Sequence, residues 1–184
     1  MSSDEALWSR YLEGDESGLA GLMDRYGSSL TFYINGYLHD VDDAEDLMIE
    51  VFAYLTVKKP RIRDGNFRAY LYKAARNLAL RFVAKNRRHR CFGFDDLGQE
   101  PESKTLTEEV VQTEERNRIL HLCMEQLNSD YREALYLVYF ENMRHAEAAA
   151  VMRKSEKQVA DLVYRGKHSL RKRLKQEGIT SAEY

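Results

Sequence analysis

Residues 58–90 form the first of three groups of side chains in this 184-residue sequence whose types and spacing suit binding chemistry. This block holds 12 basic residues and one acid, Asp64, which gives it a net charge of +11. Its aromatic residues are Phe67, Tyr70, Tyr72 and Phe82. Basic groups neutralise phosphates, and aromatic faces can stack on bases that have left a duplex. The block therefore predicts a nucleic-acid surface, although Phe67, Leu71 and Phe82 recur at helical spacing and are expected in a core.

The second group lies near the C-terminus and has the spacing of a helix-turn-helix. Ala149 is a small residue at the expected helix crossing, and the turn Arg153-Lys154-Ser155 opens four residues later. Val159 and Leu162 follow where a second helix would bury against the first, and Ser155 is a natural N-cap for it. The alternative is a plain helical hairpin with a solvated charged face. The predicted contacts to bases or phosphates are Lys154, Ser155, Lys157, Gln158, Asp161 and Arg165.

The third group is acidic. Asp43, Asp46 and Glu50 are spaced i, i+3 and i+7, which places them on one face of a helix. Such a face could dock a basic surface of a partner protein. Acids near the N-terminus of a helix also interact favourably with its dipole, so both interpretations stay open at this point.

Catalytic and metal-binding patterns are weak in the sequence. The five histidines are scattered, and the chain has no nucleophile elbow, phosphate-binding glycine loop or metalloprotease helix. His89 with Cys91 and His121 with Cys123 are spaced i, i+2, so on a helix each pair points to nearly opposite faces and chelates poorly. The sequence predicts neither an enzyme nor a bound metal or cofactor.

The elements that position these groups are expected to be helices. Apolar residues make up 43% of the chain, with only 2 prolines and 10 glycines, which favours a mostly helical core over a sheet with many turns. The net charge of −2 conceals an alternation of −10, +11, −7 and +4 over residues 1–57, 58–90, 91–133 and 134–184. This asymmetry indicates polyanion-binding segments beside protein-binding or solvated ones.

Helix-stop signals divide the chain further. A helix capped by Asp42 or Asp43 is expected to end at Lys58-Lys59-Pro60, and the next is expected to begin at Phe67. Helices are also predicted over about His145–Met152 and Glu156–Gln176. The predicted fold is all-α: a domain over residues 1–92, an acidic flexible linker over 93–112 and a second small helical domain over 113–184. The two cysteines, the absence of a signal-peptide pattern and the short apolar runs predict a cytoplasmic protein without a membrane span.

Two segments carry a family resemblance: the one from Asp43 to Phe52 and the one from Phe67 to Asn77, followed by the C-terminal helix-turn-helix. Together they resemble the extracytoplasmic-function (ECF) sigma factors, bacterial initiation factors built from two helical domains known as regions 2 and 4. The resemblance implies that residues 1–92 bind core RNA polymerase, at the β′ clamp helices through Asp43, Asp46 and Glu50. The same domain would melt and read the minus-ten promoter element.

The resemblance also implies which residues touch DNA and which partners bind. The loop Pro60–Phe67 would hold a flipped-out base. The implied minus-ten contacts are Arg61, Arg63, Asn66, Arg68, Tyr70, Arg76, Asn77, Arg81 and Lys85. The C-terminal helix-turn-helix would read the minus-thirty-five element, and the linker would run near the RNA exit path. Contact with the polymerase β subunit and an inhibitory anti-sigma factor are implied as well.

The chain departs from the family pattern at several turns. The family usually has glycine where this chain has Arg153 and Asn142, proline where it has Asn128 and tryptophan where it has Tyr70. A non-glycine residue costs about 1 kcal/mol where a turn needs a left-handed conformation. Two other function classes remain: a helix-turn-helix regulator that acts without polymerase, and a basic RNA-binding module.

Overall fold

The computed structural model describes residues 2–63, 65–89 and 118–178, and nearly all of these residues are helical. The helices are α1 (Asp4–Leu12), α2 (Ser17–Leu38), α3 (Val41–Lys58), α4 (Phe67–His89), α5 (118–125), α6 (Ser129–Leu135), which continues into a π-helical segment (Tyr136–Phe140), α7 (His145–Met152) and α8 (Glu156–Gln176). The described residues include no strand, which confirms the predicted all-α fold. No helix among them has the length and apolar character of a membrane span.

Backbone proximity groups the described residues into two compact units. One contains residues 2–63, 65–89 and 146–155, and the other contains 118–145 and 156–178. The predicted linker 93–112 and the domain limits on either side of it lie outside the described residues. Those limits stay predictions.

The core of the first unit is built by α2, α3 and α4, with α1 packed on α2. Its largest fully buried side chains include Leu30, Phe52, Phe67 and Tyr72. Phe67 and Leu71 are buried as predicted, whereas Phe82 is only half-buried. The grouping of Tyr72 with residues able to stack on bases was wrong, because this side chain is fully buried. Its hydroxyl lies 3.0 Å from that of Ser29.

The ends of α3 follow local backbone chemistry. The predicted N-cap, Asp42 or Asp43, was wrong by two or three residues. Asp40 has the extended backbone that a cap requires, and its carboxylate accepts a hydrogen bond of 3.0 Å from the Asp43 N–H. At the other end Lys59 adopts a left-handed φ of 42°, and its N–H donates to the Leu55 carbonyl over 2.8 Å. Pro60 follows directly, so α3 ends where the sequence predicted.

Helix α8 packs against α6 in the second unit, and a glycine permits the close approach. A Cβ atom added to Gly166 would lie 3.2 Å from Leu135 and 3.3 Å from Tyr131. Val159, on the first two turns of α8, is fully buried, while the predicted partner Leu162 is half-buried. Gly178 has a φ of 80°, and its N–H donates to the Lys175 carbonyl, so it closes the C-terminal end of α8.

Two glycines of α2 lead to opposite stability predictions. A Cβ at Gly18 would lie 2.2 Å from the Leu7 carbonyl oxygen of α1, whereas a Cβ at Gly36 would meet no atom within 4 Å. We expect Gly18→Ala to lower the free energy of unfolding by about 1–3 kcal/mol through overpacking. Gly36→Ala should raise it by about 0.5–1 kcal/mol because alanine loses less backbone entropy in a helix. Urea unfolding followed by circular dichroism measures both, and equal effects would contradict the close α1–α2 packing.

Candidate nucleic-acid interface

A pocket lies on the surface formed by α3 and α4. Its volume is about 230 Å³, below the roughly 300–1,000 Å³ of sites for drug-sized ligands, and it suits a single planar ring. The lining residues are Tyr54, Tyr70, Lys73, Ala74, Asn77, Leu78 and Arg81. The structure thus brings together three residues that the resemblance assigned to DNA, Tyr70, Asn77 and Arg81. Tyr54 and Lys73 complete the pocket, and sequence reasoning missed both.

The pocket combines the groups that recognise an unpaired base. Burial, reinforced by the adjacent Tyr54 hydroxyl and its hydrogen bond, raises the pKa of Tyr70, so this phenol stays protonated and can donate. Aromatic faces stack on any base, and the side-chain amide of Asn77 can both donate to and accept from a base edge. Lys73 and Arg81 supply positive charge for the backbone phosphates. The pocket is therefore chemically suited to one base of a single strand.

The other predicted minus-ten residues surround the start and the outer face of α4. Arg61, Arg63 and Asn66 are exposed in the connection before α4, and Lys85 is exposed one turn beyond the pocket residue Arg81. Arg76 is half-buried. Arg68 is also half-buried, but it is not among the residues that line the pocket. It lies close to Tyr26, where its positive charge acts against the rise in the pKa of that phenol.

The acidic face of α3 is more apolar than the sequence interpretation stated. Asp46 and Glu50 are exposed, and Asp43 is half-buried. Ile49, which lies between Asp46 and Glu50, is exposed. Val57, which lies two turns after Glu50, keeps 79% of its surface exposed. Acids repel phosphates, whereas a face that mixes carboxylates with exposed aliphatic groups is typical of protein–protein docking. The i, i+3, i+7, i+11 spacing that extends from Asp46 to Val57 could have revealed this face.

The helix-turn-helix segment has the predicted bounds, with α7 ending at Met152 and α8 beginning at Glu156. In the turn, Arg153 has a φ of 56°, and the Lys154 N–H donates to the Ala149 carbonyl over 3.0 Å. Asn142 also has a left-handed φ, of 51°. Both are positions where the resemblance implied a glycine, so the turn geometry is kept although the glycines are not.

Most of the predicted contacts on α8 and in the turn before it are exposed to solvent. Ser155, Lys157, Gln158, Asp161 and Arg165 are exposed, and Lys154 is half-buried. Sequence reasoning missed Tyr164, whose side chain is 78% exposed. It lies three residues after Asp161 and seven after Lys157, on the same face of the helix. That spacing was visible in the sequence but was not used.

Among the described residues, no group of three His, Cys, Asp or Glu side chains is arranged to hold a metal ion. His121 is exposed while Cys123 is buried, so this pair does not converge. Burial also raises the pKa of the Cys123 thiol. The pair of His89 and Cys91 lies outside the residues whose side chains are described.

Comparison with known proteins gives a consistent result. Two family descriptions match the sequence, sigma-70 region 2 over residues 22–89 and sigma-70 region 4 over residues 117–170. The RNA polymerase sigma-H factor of Pseudomonas aeruginosa is 28% identical, with 95% of each chain covered. The ECF RNA polymerase sigma factor SigM of Bacillus subtilis is 27% identical over 70% of this chain and 77% of its own.

Solved structures show the same fold. CnrH, solved in complex with the cytosolic domain of CnrY, aligns with a TM-score of 0.67 at 20% identity, over 95% of this chain and 99% of its own. The sigma factor RpoE of Bartonella quintana, solved with the anti-sigma factor NepR, aligns with a TM-score of 0.67 at 19% identity, over 85% and 96%.

The two matched regions together cover more than half of the chain. They contain the pocket on α3 and α4 and most of the helix-turn-helix segment. Sigma factors direct initiation and catalyse no reaction themselves. The chain belongs to the sigma-70 family and is an RNA polymerase sigma factor of the ECF group.

Proposed function

We propose that residues 1–92 of this sigma factor bind core polymerase and read the minus-ten element, and that residues 113–184 read the minus-thirty-five element. The observation that supports this division is that the described residues present two surfaces of different kinds. The pocket on α3 and α4 suits one unpaired base, whereas α8 is an exposed helix that suits the major groove of a duplex.

The exposed face of α3 is the proposed docking surface for the β′ clamp helices. Asp46 and Glu50 would pair with basic groups, and Ile49 and Val57 would lose exposed apolar surface. Exposed ion pairs alone contribute about 0–1 kcal/mol each, so the aliphatic contacts supply much of the affinity. Contact with the β subunit, which the resemblance implies, is also proposed.

The minus-ten strand is proposed to follow the basic residues of α4, with one base in the pocket. Unstacking a base costs a few kcal/mol, which stacking on Tyr70 and neutralisation of phosphates by Lys73, Arg81 and Lys85 would offset. Arg61, Arg63 and Asn66 would contact the same strand from the connection before α4.

An anti-sigma protein is a further proposed partner. The fold neighbour RpoE was solved with the anti-sigma factor NepR, and the exposed apolar groups on α3 offer such a protein a surface. Because core polymerase and bacterial promoters are cytoplasmic, the cytoplasm is the proposed site of action.

Promoter-dependent transcription tests the proposed function. We expect run-off transcription with purified core polymerase to depend on the chain and on the promoter sequence. Asp46→Arg with Glu50→Arg should abolish it and prevent co-purification with core polymerase, because the docking surface becomes basic. Glu13→Arg with Asp24→Arg makes the same charge change at exposed residues near α1 and on α2 and should have little effect. DNA binding without any promoter-dependent run-off would instead support the regulator that acts without polymerase.

Salt dependence tests the basic face of α4. We expect Arg81→Ala with Lys85→Ala to weaken binding of the free chain to single-stranded DNA. The slope of log K against log salt should fall by about 0.7 per lost phosphate contact. Arg10→Ala is the matched control, because Arg10 is an exposed cation of α1 that lies 3.8 Å from Asp15. An unchanged slope in the double variant would contradict phosphate contacts at these two residues.

If α8 reads the minus-thirty-five element, substitutions of base-reading residues and of phosphate-contacting residues should have different effects. Gln158→Ala and Asp161→Ala should each relax the preference at one minus-thirty-five base pair, a loss of about 1–3 kcal/mol of discrimination. Arg171→Ala removes an exposed cation from the same helix and should weaken binding of all duplexes about equally. Transcription from a library of minus-thirty-five sequences measures both. Uniform weakening by Gln158→Ala and Asp161→Ala would show that neither residue reads a base.

A further inference from the structure

The connection between α3 and α4 is held at both of its ends by side chains of α1. At its start the Trp8 Nε1–H donates to the Pro60 carbonyl oxygen over 3.3 Å. At its end the Gly65 N–H donates to Glu5 Oε1 over 2.8 Å. One turn of a helix from a distant part of the sequence thus bonds the backbone on either side of Arg61 and Arg63.

The helix that provides these bonds is itself fixed in place. The Asp4 carboxylate accepts hydrogen bonds from the Arg25 guanidinium and the Tyr26 hydroxyl of α2. The Trp8 indole is 4% exposed and packs 5.7 Å from the ring of Phe67, the first residue of α4. The close approach of α1 to Gly18 adds backbone packing. Helix α1 is therefore anchored to α2 and α4 beside the connection.

The backbone at the end of the connection has a left-handed conformation. Gly65 has a φ of 75°, a region that favours glycine. The next residue, Asn66, donates its N–H to the Arg63 carbonyl over 3.1 Å, and its own carbonyl accepts from the Tyr70 N–H over 2.9 Å. Glu5 holds the amide at the centre of this turn, so it influences how Arg63 and Asn66 are presented beside α4.

We propose that Glu5 and Trp8 are positioning residues for minus-ten base discrimination. They bond Gly65 and Pro60 and so order the connection before DNA arrives. Ordering a flexible segment costs free energy at the moment of binding, and an anchored segment avoids that cost. An anchored segment also discriminates more strongly between correct and incorrect bases, because it cannot change its conformation to fit an incorrect one. This proposal rests on the proposed contact of Arg61, Arg63 and Asn66 with the minus-ten strand, which fixes how that strand enters the pocket.

A purely structural role makes a different prediction. Glu5 is half-buried and its bond to Gly65 lies at the surface, so its loss should leave the core of α2, α3 and α4 intact. A structural role would change stability and all activities in parallel. A positioning role changes base discrimination while core polymerase affinity stays the same.

Glu5→Ala in holoenzyme reconstituted from the full chain and core polymerase tests the proposal. Permanganate reactivity of open complexes is compared on one promoter and on single-base variants of its minus-ten element. We expect Glu5→Ala to reduce discrimination about three- to tenfold, the net value of one typical hydrogen bond at a solvent-exposed position. Glu5→Gln keeps an acceptor oxygen and should restore most of it. Glu13→Ala removes an exposed acid at the other end of α1 and should match the wild type.

Amide hydrogen exchange gives a second readout on the free chain. The Gly65 amide should exchange several-fold faster in Glu5→Ala than in the wild type. Trp8→Phe, which keeps an aromatic ring but loses the indole donor, should also reduce discrimination. Wild-type discrimination in Glu5→Ala, or equal Gly65 exchange, would overturn the positioning role alone. Absence of promoter-dependent open complexes with the wild-type chain would overturn the proposed function and this proposal with it.

Discussion

The burial of one face of α4 is the constraint on which the first unit depends. Phe67, Leu71, Tyr72 and Ala75 lie in the core against α2 and α3. Charged side chains are rarely buried without a partner, so the basic residues of α4 must occupy its remaining surface. The same packing turns Tyr70 and Asn77 toward α3 and forms the pocket with Tyr54. The surface proposed to bind DNA thus follows from an apolar core.

Periodicity and stop signals predicted the helices well because these are local effects. The limits of α7 and α8 and the end of α3 at Lys58 depend on residues within one turn of each boundary. Tyr72 could not be assigned in this way, since its burial depends on Ser29 and Tyr33, which are about forty residues away. Tyr54 was missed for the same reason. A pocket between two helices has no signature in either helix alone, whereas the acidic, aliphatic face of α3 did have one.

Among the described residues, four that are not glycine adopt the left-handed backbone conformation. His39, Lys59, Asn142 and Arg153 all have a positive φ. His39 follows the last residue of α2, and Lys59 follows the last residue of α3. The N–H of each still donates to a carbonyl of the preceding helix, over 2.9 Å at His39 and 2.8 Å at Lys59. These bonds satisfy carbonyls that would otherwise lack a partner, which offsets part of the steric cost. Asn142 and Arg153 therefore adopt the left-handed conformation although neither is glycine. A motif search that requires glycine at these positions would miss this helix-turn-helix.

Trp8 has a consequence for how this protein can be observed. It is the chain's single tryptophan, and its indole contacts the Pro60 carbonyl and the Phe67 ring together. Indole fluorescence responds to hydrogen bonding and to the polarity of its surroundings. The free chain therefore contains an intrinsic optical probe at the junction of α1, the connection and α4. Its emission reports the state of that junction without any added label.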